Sequence, residues 1–567
     1  MKTPRYLLVA LCALILPRPA FAAERADVID ARHWQFFFDN HAIARGTGLS
    51  RVVHQPRARG VVIPNDKPWE TAGMNPFYFA RKDDGTFIGF YDALHWAPNP
   101  EGALIRGKIQ KDRAQQYINA ICFATSRDGL HWEKPNLGFA DAPAGVDRQK
   151  FPPFASPVGT TRDNNLLGFE MMSFGFTDLG RDGNVADPAK RYAFALDGKL
   201  YFSPTLPDFV ADRNWRAKLT PAEGRFSTRG EALHFWDEQH GEWVAMVQNA
   251  VPHWLPSREI ARFASPDLKT WRSEIVLAPD PEDPHRPDLY DEPMVLVPFA
   301  AEGVVLGLLS WIHTDRTTPD GGPVMERAPG SPAQGWPWPR TAEHPYVWPW
   351  ARKGPNEMRV TLSRDGGRTW DRTASRQAWI PHGTEQDSFD RLVITPTPPV
   401  RVGDEDWFYV GVYDGDHLTT RPDARQRTYY HDRTRRGQVA LYTQKRHRYV
   451  SLATGSQVET LITKPFVVQG DTLQLNVDAS RGRVRVAVAE YKPVLTLKDT
   501  TYSLDPHLME QNVLAGFTRD DCVPIEANSI EYAVQFRQGA SLQALRGKTV
   551  VLFIEMLDAN LYSFRVQ

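Results

Sequence analysis

Along the chain short β-type runs alternate with polar turns, the pattern of strands joined by hairpins. The alternation is gathered into five units that end in the same short block. The blocks are ICFATSRDGLHW (121–132), KLYFSPTLPDF (199–209), IARFASPDLKTW (260–271), MRVTLSRDGGRTW (358–370) and VALYTQKRHRYV (439–450). Each is a β-type run, a Ser or Thr (Ser126, Ser203, Ser265, Ser363, Thr443), a polar turn, and an aromatic residue (Trp132, Phe209, Trp271, Trp370, Tyr449). In front of each block stand two more β-rich runs joined by Gly, Asp or Glu turns, which is hairpin grammar. They are NPFYFAR with TFIGFYDAL, LLGFEMM with RYAFALD, ALHFWDEQHGEWVAMVQNA, MVLVPFAAEGVVLGLLSWI, and VITPTPPVRVGDEDWFYVGVYD. Two front strands plus the block make about four strands, the size of one propeller blade, and repetition at this length is the mark of a propeller. The pattern predicts an all-β chain: a five-bladed β-propeller over 69–455, preceded by a lead-in over 24–68 with one strand (WQFFFDNHAI) and a loop through HQPRARG.

After about residue 455 the repeat stops but the alternation continues, in ITKPFVVQGDTLQLNVDASRGRVRVAVAEY, SIEYAVQFRQ and TVVLFIEMLDANLYSFRV. This predicts a C-terminal β-sandwich over 456–567. A Pro-, Gly- and Trp-rich stretch at 315–355 interrupts the fourth unit, and its proline density excludes regular structure. Its Trp336 and Trp338 are candidates to stack on a flat ligand at the rim of a site.

The first residues read as an export signal. Lys2 and Arg5 precede an apolar run from Tyr6 to Leu16, and Ala20-Phe21-Ala22 fits the small-x-small cleavage rule. The run is too short for a stable membrane span. The expectation is a signal peptide over 1–22 and a periplasmic or secreted protein with no membrane span. Beyond that segment only Cys122 and Cys522 remain, in different predicted domains, so no disulfide framework is expected. Lys and Arg number 67 against 68 Asp and Glu, a net charge of −1, which argues against a nucleic-acid or anionic-membrane binder.

The first strand of each propeller blade lines the central channel, so the residues just before it face the channel mouth. Each of the five units places a carboxylate near there: Glu70 with Asn75, Asp163 with Asn164, Glu231, Glu292, and Asp390 with Arg391. Acids crowded into one funnel repel, which raises some pKa values and separates an acid from a base. Glycosidic bond hydrolysis requires such a pair. The expectation is catalysis by Glu231 as general acid, Glu70 as base or nucleophile, and Asp163 as the residue that tunes them. Asn75, Asn164, Glu292, Asp390, Arg391, Trp336 and Trp338 would contact a carbohydrate substrate. The plainer reading of any one of these acids is a turn or cap residue. No Cys/His spacing suits zinc, and no P-loop, nucleophile elbow or dinucleotide fingerprint is present, so no metal or cofactor is expected.

Ser363-x-Asp365-x-Gly367-x-Thr369-Trp370 matches the Asp-box turn of sialidases and related propellers, a structural device. Across the whole chain, FFFDNHAI (36–43), HQP (54–56), PWE (68–70), SRDGLHWEKPNLG (126–138), DNN (163–165), SFD (388–390), TKPF (463–466), NVDAS (476–480), GFTRDDCVPIEANS (516–529) and LYSF (561–564) carry a resemblance. With them the chain resembles glycoside hydrolase family 32 and the related five-bladed families 43, 62 and 68. That resemblance implies a secreted glycosidase whose acids come from the first three blades. The chain departs from family 32 where that family has its W-M-N-D-P-N-G nucleophile: Met74-Asn75-Pro76 keeps the neighbours and lacks the Asp. The R-D-P and E-C motifs are also missing, so site residues carry over by blade position only.

Overall fold

The computed structural model describes residues 28–70, 73–98, 103–105, 108–110, 115–151, 154–170, 175–180, 187–196, 199–223, 233–249, 259–280, 282–283, 289–315, 355–374, 376–384, 388–414, 437–491 and 512–567. The expected signal peptide, Glu231, Trp336 and Trp338 lie outside these residues. Among the described residues there is no α-helix. The helical segments are 3-10 turns of three or four residues, such as Pro68–Glu70, and none is long and apolar enough to cross a membrane.

Antiparallel strands form a succession of sheets in chain order. The first runs Gly73–Arg81, Phe87–Pro98, Gln115–Ser126. The second is Gly175–Asp178, Tyr192–Leu196, Lys199–Ser203, Thr220–Pro221. The third is Phe235–Asp237, Glu242–Asn249, Glu259–Ser265, Arg272–Leu277. Leu289–Ala301, Val304–Asp315 and Asn356–Ser363 form a fourth group. Leu392–Pro396, Glu405–Tyr413 and Gly437–Lys445 form a fifth, and one parallel pair, Asn356 with Leu392, joins these two groups into an eight-stranded sheet.

The repeated block is the third strand of its group plus a hydrogen-bonded turn. In the first copy Ser126 Oγ accepts from Gly129 N, Asp128 accepts from the His131 amide, and Trp132 Nε1 donates to Gly129 O. The fourth copy repeats these bonds through Ser363, Gly367, Asp365, Thr369 and Trp370. The recurrence along the sequence is therefore a recurrence of one turn chemistry.

Apolar side chains fill the space between successive groups. Tyr78, Phe90, Phe176 and Phe194 pack the first against the second. Phe202 and Trp243 join second to third, and Met246 and Trp311 join third to fourth. Leu308, Met358 and Val410 join fourth to fifth. Phe79, Tyr91, Tyr409 and Leu441 join the fifth back to the first, where the Phe79 and Tyr409 rings stack 4.2 Å apart. Aromatic pairs of this kind add about 0.5–1.5 kcal/mol beyond the area they bury.

Two pairings differ from the sequence expectation. Leu166–Glu170, read as the front of the second unit, bonds instead to Asn119–Cys122 of the first sheet. Asn165 holds it there, its side-chain amide donating to Phe123 O and its backbone carbonyl accepting from Phe123 N, while the Asn164 amide ties the preceding turn to Ala140 O. The HQPRARG stretch is not all loop: Arg57–Ile63 is a strand on the outer edge of Gly437–Lys445. The rest of the lead-in pairs with the C-terminal region. Gln35–Phe36 joins Asn560–Val566, Ile43–Gly46 joins Glu459–Thr463, and Ser50–Val53 joins Val450–Ala453. Those C-terminal strands form two sheets around a shared core that includes Leu475, Val486, Leu552 and Phe564. Cys122 and Cys522 are both buried and free.

Candidate active site

The first strands of all five groups contribute to the wall of one cavity of about 1150 Å³. They do so through Asn75–Tyr78, Gly175–Asp178, Phe235–Asp237, the run from Val295 to Ala301, and Ile394–Pro396. Asp92 reaches the same cavity from the second strand of the first sheet, where it is the ladder partner of Asn75.

Asn75 is held from three sides. Its Oδ1 accepts from Tyr413 Oη (2.9 Å) and Thr395 Oγ1 (3.1 Å), and its backbone N donates to Asp92 Oδ1 (3.0 Å). Asp92 is buried, and removal from water raises its carboxyl to about 7 despite hydrogen bonds from Asn75 that favour the charged form. Among the described residues no ion pair forms to it. Two other carboxylates of the cavity wall differ. Asp237 is bound by Arg262 Nη2 (2.9 Å), His240 Nδ1 (2.8 Å) and Arg368 Nη1 (3.4 Å), and Asp178 by Arg191 Nε (3.2 Å). Asp92 is thus positioned to hold or release a proton near neutral pH. His234 also lines the cavity; its Nδ1 accepts from Met246 N (3.0 Å), and burial lowers it to about 4. It is neutral at pH 7 with its proton on Nε2, a donor.

The sequence-derived candidates separate. Asn75 lines the cavity. Glu70 does not: it is fully buried behind the first sheet, where Tyr91 Oη (2.8 Å), Lys134 Nζ (2.8 Å) and Lys67 N (3.0 Å) all donate to it. Burial pushes its carboxyl above the ordinary range while Lys134 and Tyr91 pull it back. The PWE turn tucks the side chain inward, so it clamps the Pro68–Glu70 turn to the first sheet. Asp163 is exposed, because the segment after it belongs to the first sheet's edge. Asn164 is buried and spent on Ala140 O and Thr161 O. Glu292 is buried within the fourth group, and Asp390 is half-buried, accepting from Ser388 Oγ. Arg391 Nη1 donates to Gly383 O (3.1 Å). None of Glu70, Asp163, Asn164, Glu292, Asp390 or Arg391 is among the cavity-lining residues. Glu231 stands three residues before His234, outside the described residues.

Sequence reading missed Asp92 and His234. It also missed a group of possible metal ligands, His313, Glu357 and His382, whose donor atoms all lie within 4.8 Å of one another. Burial raises the Glu357 carboxyl, but His313 and Arg359 outweigh this and hold it below the usual range.

No protein-family model matches the chain, and no curated protein matches it. Solved structures give remote likenesses. A β-1,2-mannobiose phosphorylase from Listeria innocua is 14% identical at a TM-score of 0.34, covering 68% of this chain and 94% of that one. An N-acetylgalactosamine deacetylase from F. plautii is 11% identical at 0.33, covering 71% and 97%. A family 43 arabinoxylan arabinofuranohydrolase from Bacillus subtilis is 10% identical at 0.28, covering 90% and 99%. Likeness at this level assigns no activity to this chain.

Proposed function

We propose that the five strand groups are the blades of a five-bladed propeller, that the two C-terminal sheets are a β-sandwich, and that the chain is an exported glycosidase. The cyclic packing of the five groups around one cavity supports the fold reading. One observation carries the function: a buried carboxyl on the cavity wall, Asp92, raised to about 7 and without an ion-pair partner among the described residues. Such a group is what protonating a glycosidic oxygen, or deprotonating a water, at neutral pH requires. Glu231, just before the first strand of the third group, supplies the second carboxyl in this reading. Asn75 and His234 are the hydrogen-bonding contacts to sugar hydroxyls.

A second reading rests on Asn75. Asn75 stands in the first group beside the point where the resembled family has its nucleophile and this chain lacks it, and Tyr413 and Thr395 fix it as a rigid polar contact. A propeller that binds carbohydrate without cleaving it would use the same arrangement. Assay of the purified protein against a panel of oligo- and polysaccharides separates the two. The glycosidase reading expects reducing ends released by wild type and lost in Asp92→Asn and Glu231→Gln. Binding without release in wild type establishes the second reading.

A further inference from the structure

His313, Glu357 and His382 come from distant points of the chain, and the fourth group fixes all three. Glu357 pairs across the ladder with Trp311, two residues before His313. His382 follows Ile380, whose N donates to Met358 O (3.0 Å). The backbone thus sets all three directions.

The side chains are oriented as metal ligands are. Arg359 Nε donates to Glu357 Oε1 (2.7 Å), which leaves Oε2 facing His313 Nε2 at 3.2 Å. The Arg359 guanidinium lies 4.6 Å from the centre of the Trp311 ring, so it too is fixed in place. His382 Nδ1 lies 3.0 Å from Gly383 O, an acceptor only; Nδ1 therefore carries the hydrogen and Nε2 presents its lone pair. The two imidazole rings sit edge to face, 6.0 Å between centres. Outer partners that fix a ligand's tautomer and angle are a regular companion of metal sites. Two imidazole nitrogens and one carboxylate oxygen are the donor set of a zinc ion that keeps a position for water.

We propose that His313, Glu357 and His382 bind one divalent transition-metal ion of the Zn²⁺ class. The site is separate from the Asp92 cavity and independent of the glycosidase reading. Ladder pairing puts His313 opposite Asp291, beside Glu292, at the end of the fourth group where its first strand begins. The ion would clamp the ends of two strands and the 381–383 loop.

The test uses tag-free full-length protein stripped with chelator, and Zn²⁺ as the probe. Calorimetric titration should show one site, and zinc should raise the Tm of wild type. Co²⁺ in its place should give visible ligand-field bands. His313→Gln and His382→Gln should each weaken Zn²⁺ binding at least about tenfold and abolish the Co²⁺ bands, as loss of an inner ligand should exceed the effect of losing an outer one. His131→Gln, at an exposed histidine paired with Asp128, should change nothing. His382→Gln retains the strand pairing, so a folded variant that no longer binds zinc supports the site. Wild type that takes up no zinc, or variants that bind it as wild type does, would overturn the proposal.

Discussion

Two buried carboxyls at the first sheet, Glu70 behind it and Asp92 within it, are close in the fold and opposite in character. Tyr91, next to Asp92 in the chain, donates to Glu70, so the two acids lie behind and before the same strand. Glu70 is surrounded by donors, including the ammonium of Lys134, whose side chain is 8% exposed. Asp92 receives its hydrogen bonds from Asn75, and among the described residues no ion pair offsets the loss of water. Burial acts on both, and partners decide the outcome. An ion-paired acid serves as a clamp, whereas a buried acid without a cation holds a proton that it can give up near neutral pH.

The largest effect expected from this contrast is on catalysis. Asp92→Asn keeps the shape and the acceptor for Asn75 N, and should cut turnover of any cleaved sugar about 10²–10⁴-fold, the usual loss for a general acid or base. Steady-state rates on the best panel substrate measure this; a loss under threefold would remove Asp92 from the chemistry. Lys134→Met should follow, destabilising the fold by about 3–5 kcal/mol because Glu70 is left buried without its cation. Denaturant unfolding tests it, and Glu70→Gln added to Lys134→Met should recover most of the loss. Rates per folded molecule should be unchanged in both, unlike in Asp92→Asn.

The pH dependence sharpens the same contrast. The Asp92 carboxyl is raised in the fold above its unfolded value, so its contribution is most favourable below pH 4 and declines as pH rises to about 7. Asp92→Asn should therefore gain stability over wild type between pH 4 and pH 8, by up to about 4 kcal/mol from the three-unit shift. A constant difference across that range would mean that Asp92 is ionised in the fold. The smallest effects are expected in the Trp-rich stretch: Trp336→Ala and Trp338→Ala should each weaken sugar binding by about 1–2 kcal/mol if their rings stack on it, by analogy with stacking on bases. Unchanged affinity in both would assign that stretch to packing or solvent.

Period-two alternation and the repeated turn made the β architecture legible, because both are local. What was not legible depended on partners chosen at long range. Leu166–Glu170 reads like any front strand, yet its ladder bonds and the Asn165 amide hold it on the first sheet. Arg57–Ile63 is too polar at its start to read as a strand, yet it pairs with the last strand of the fifth group. An acid ahead of a strand looks the same in sequence whether it turns toward the cavity or away, which is why Glu70 stood out and Asp92 did not. Asn75, the ladder partner of Asp92, was the available pointer. His313, Glu357 and His382 gave no motif because two strands and a loop supply one residue each.

The pairing of Ile63 with Val439 sets an order of assembly. Ile63 is made long before Val439, so this contact cannot form until the last strand of the fifth group has been synthesised. Pairing at such sequence separation is slow, since the intervening segment must first be brought to order. Until then Arg57–Ile63 is an unpaired edge open to other chains. Its two arginines, Arg57 and Arg59, guard that edge by charge. Once docked, Arg59 Nε donates to Thr443 Oγ1 (3.0 Å), so the residue that protects the nascent strand also secures it when assembly is complete.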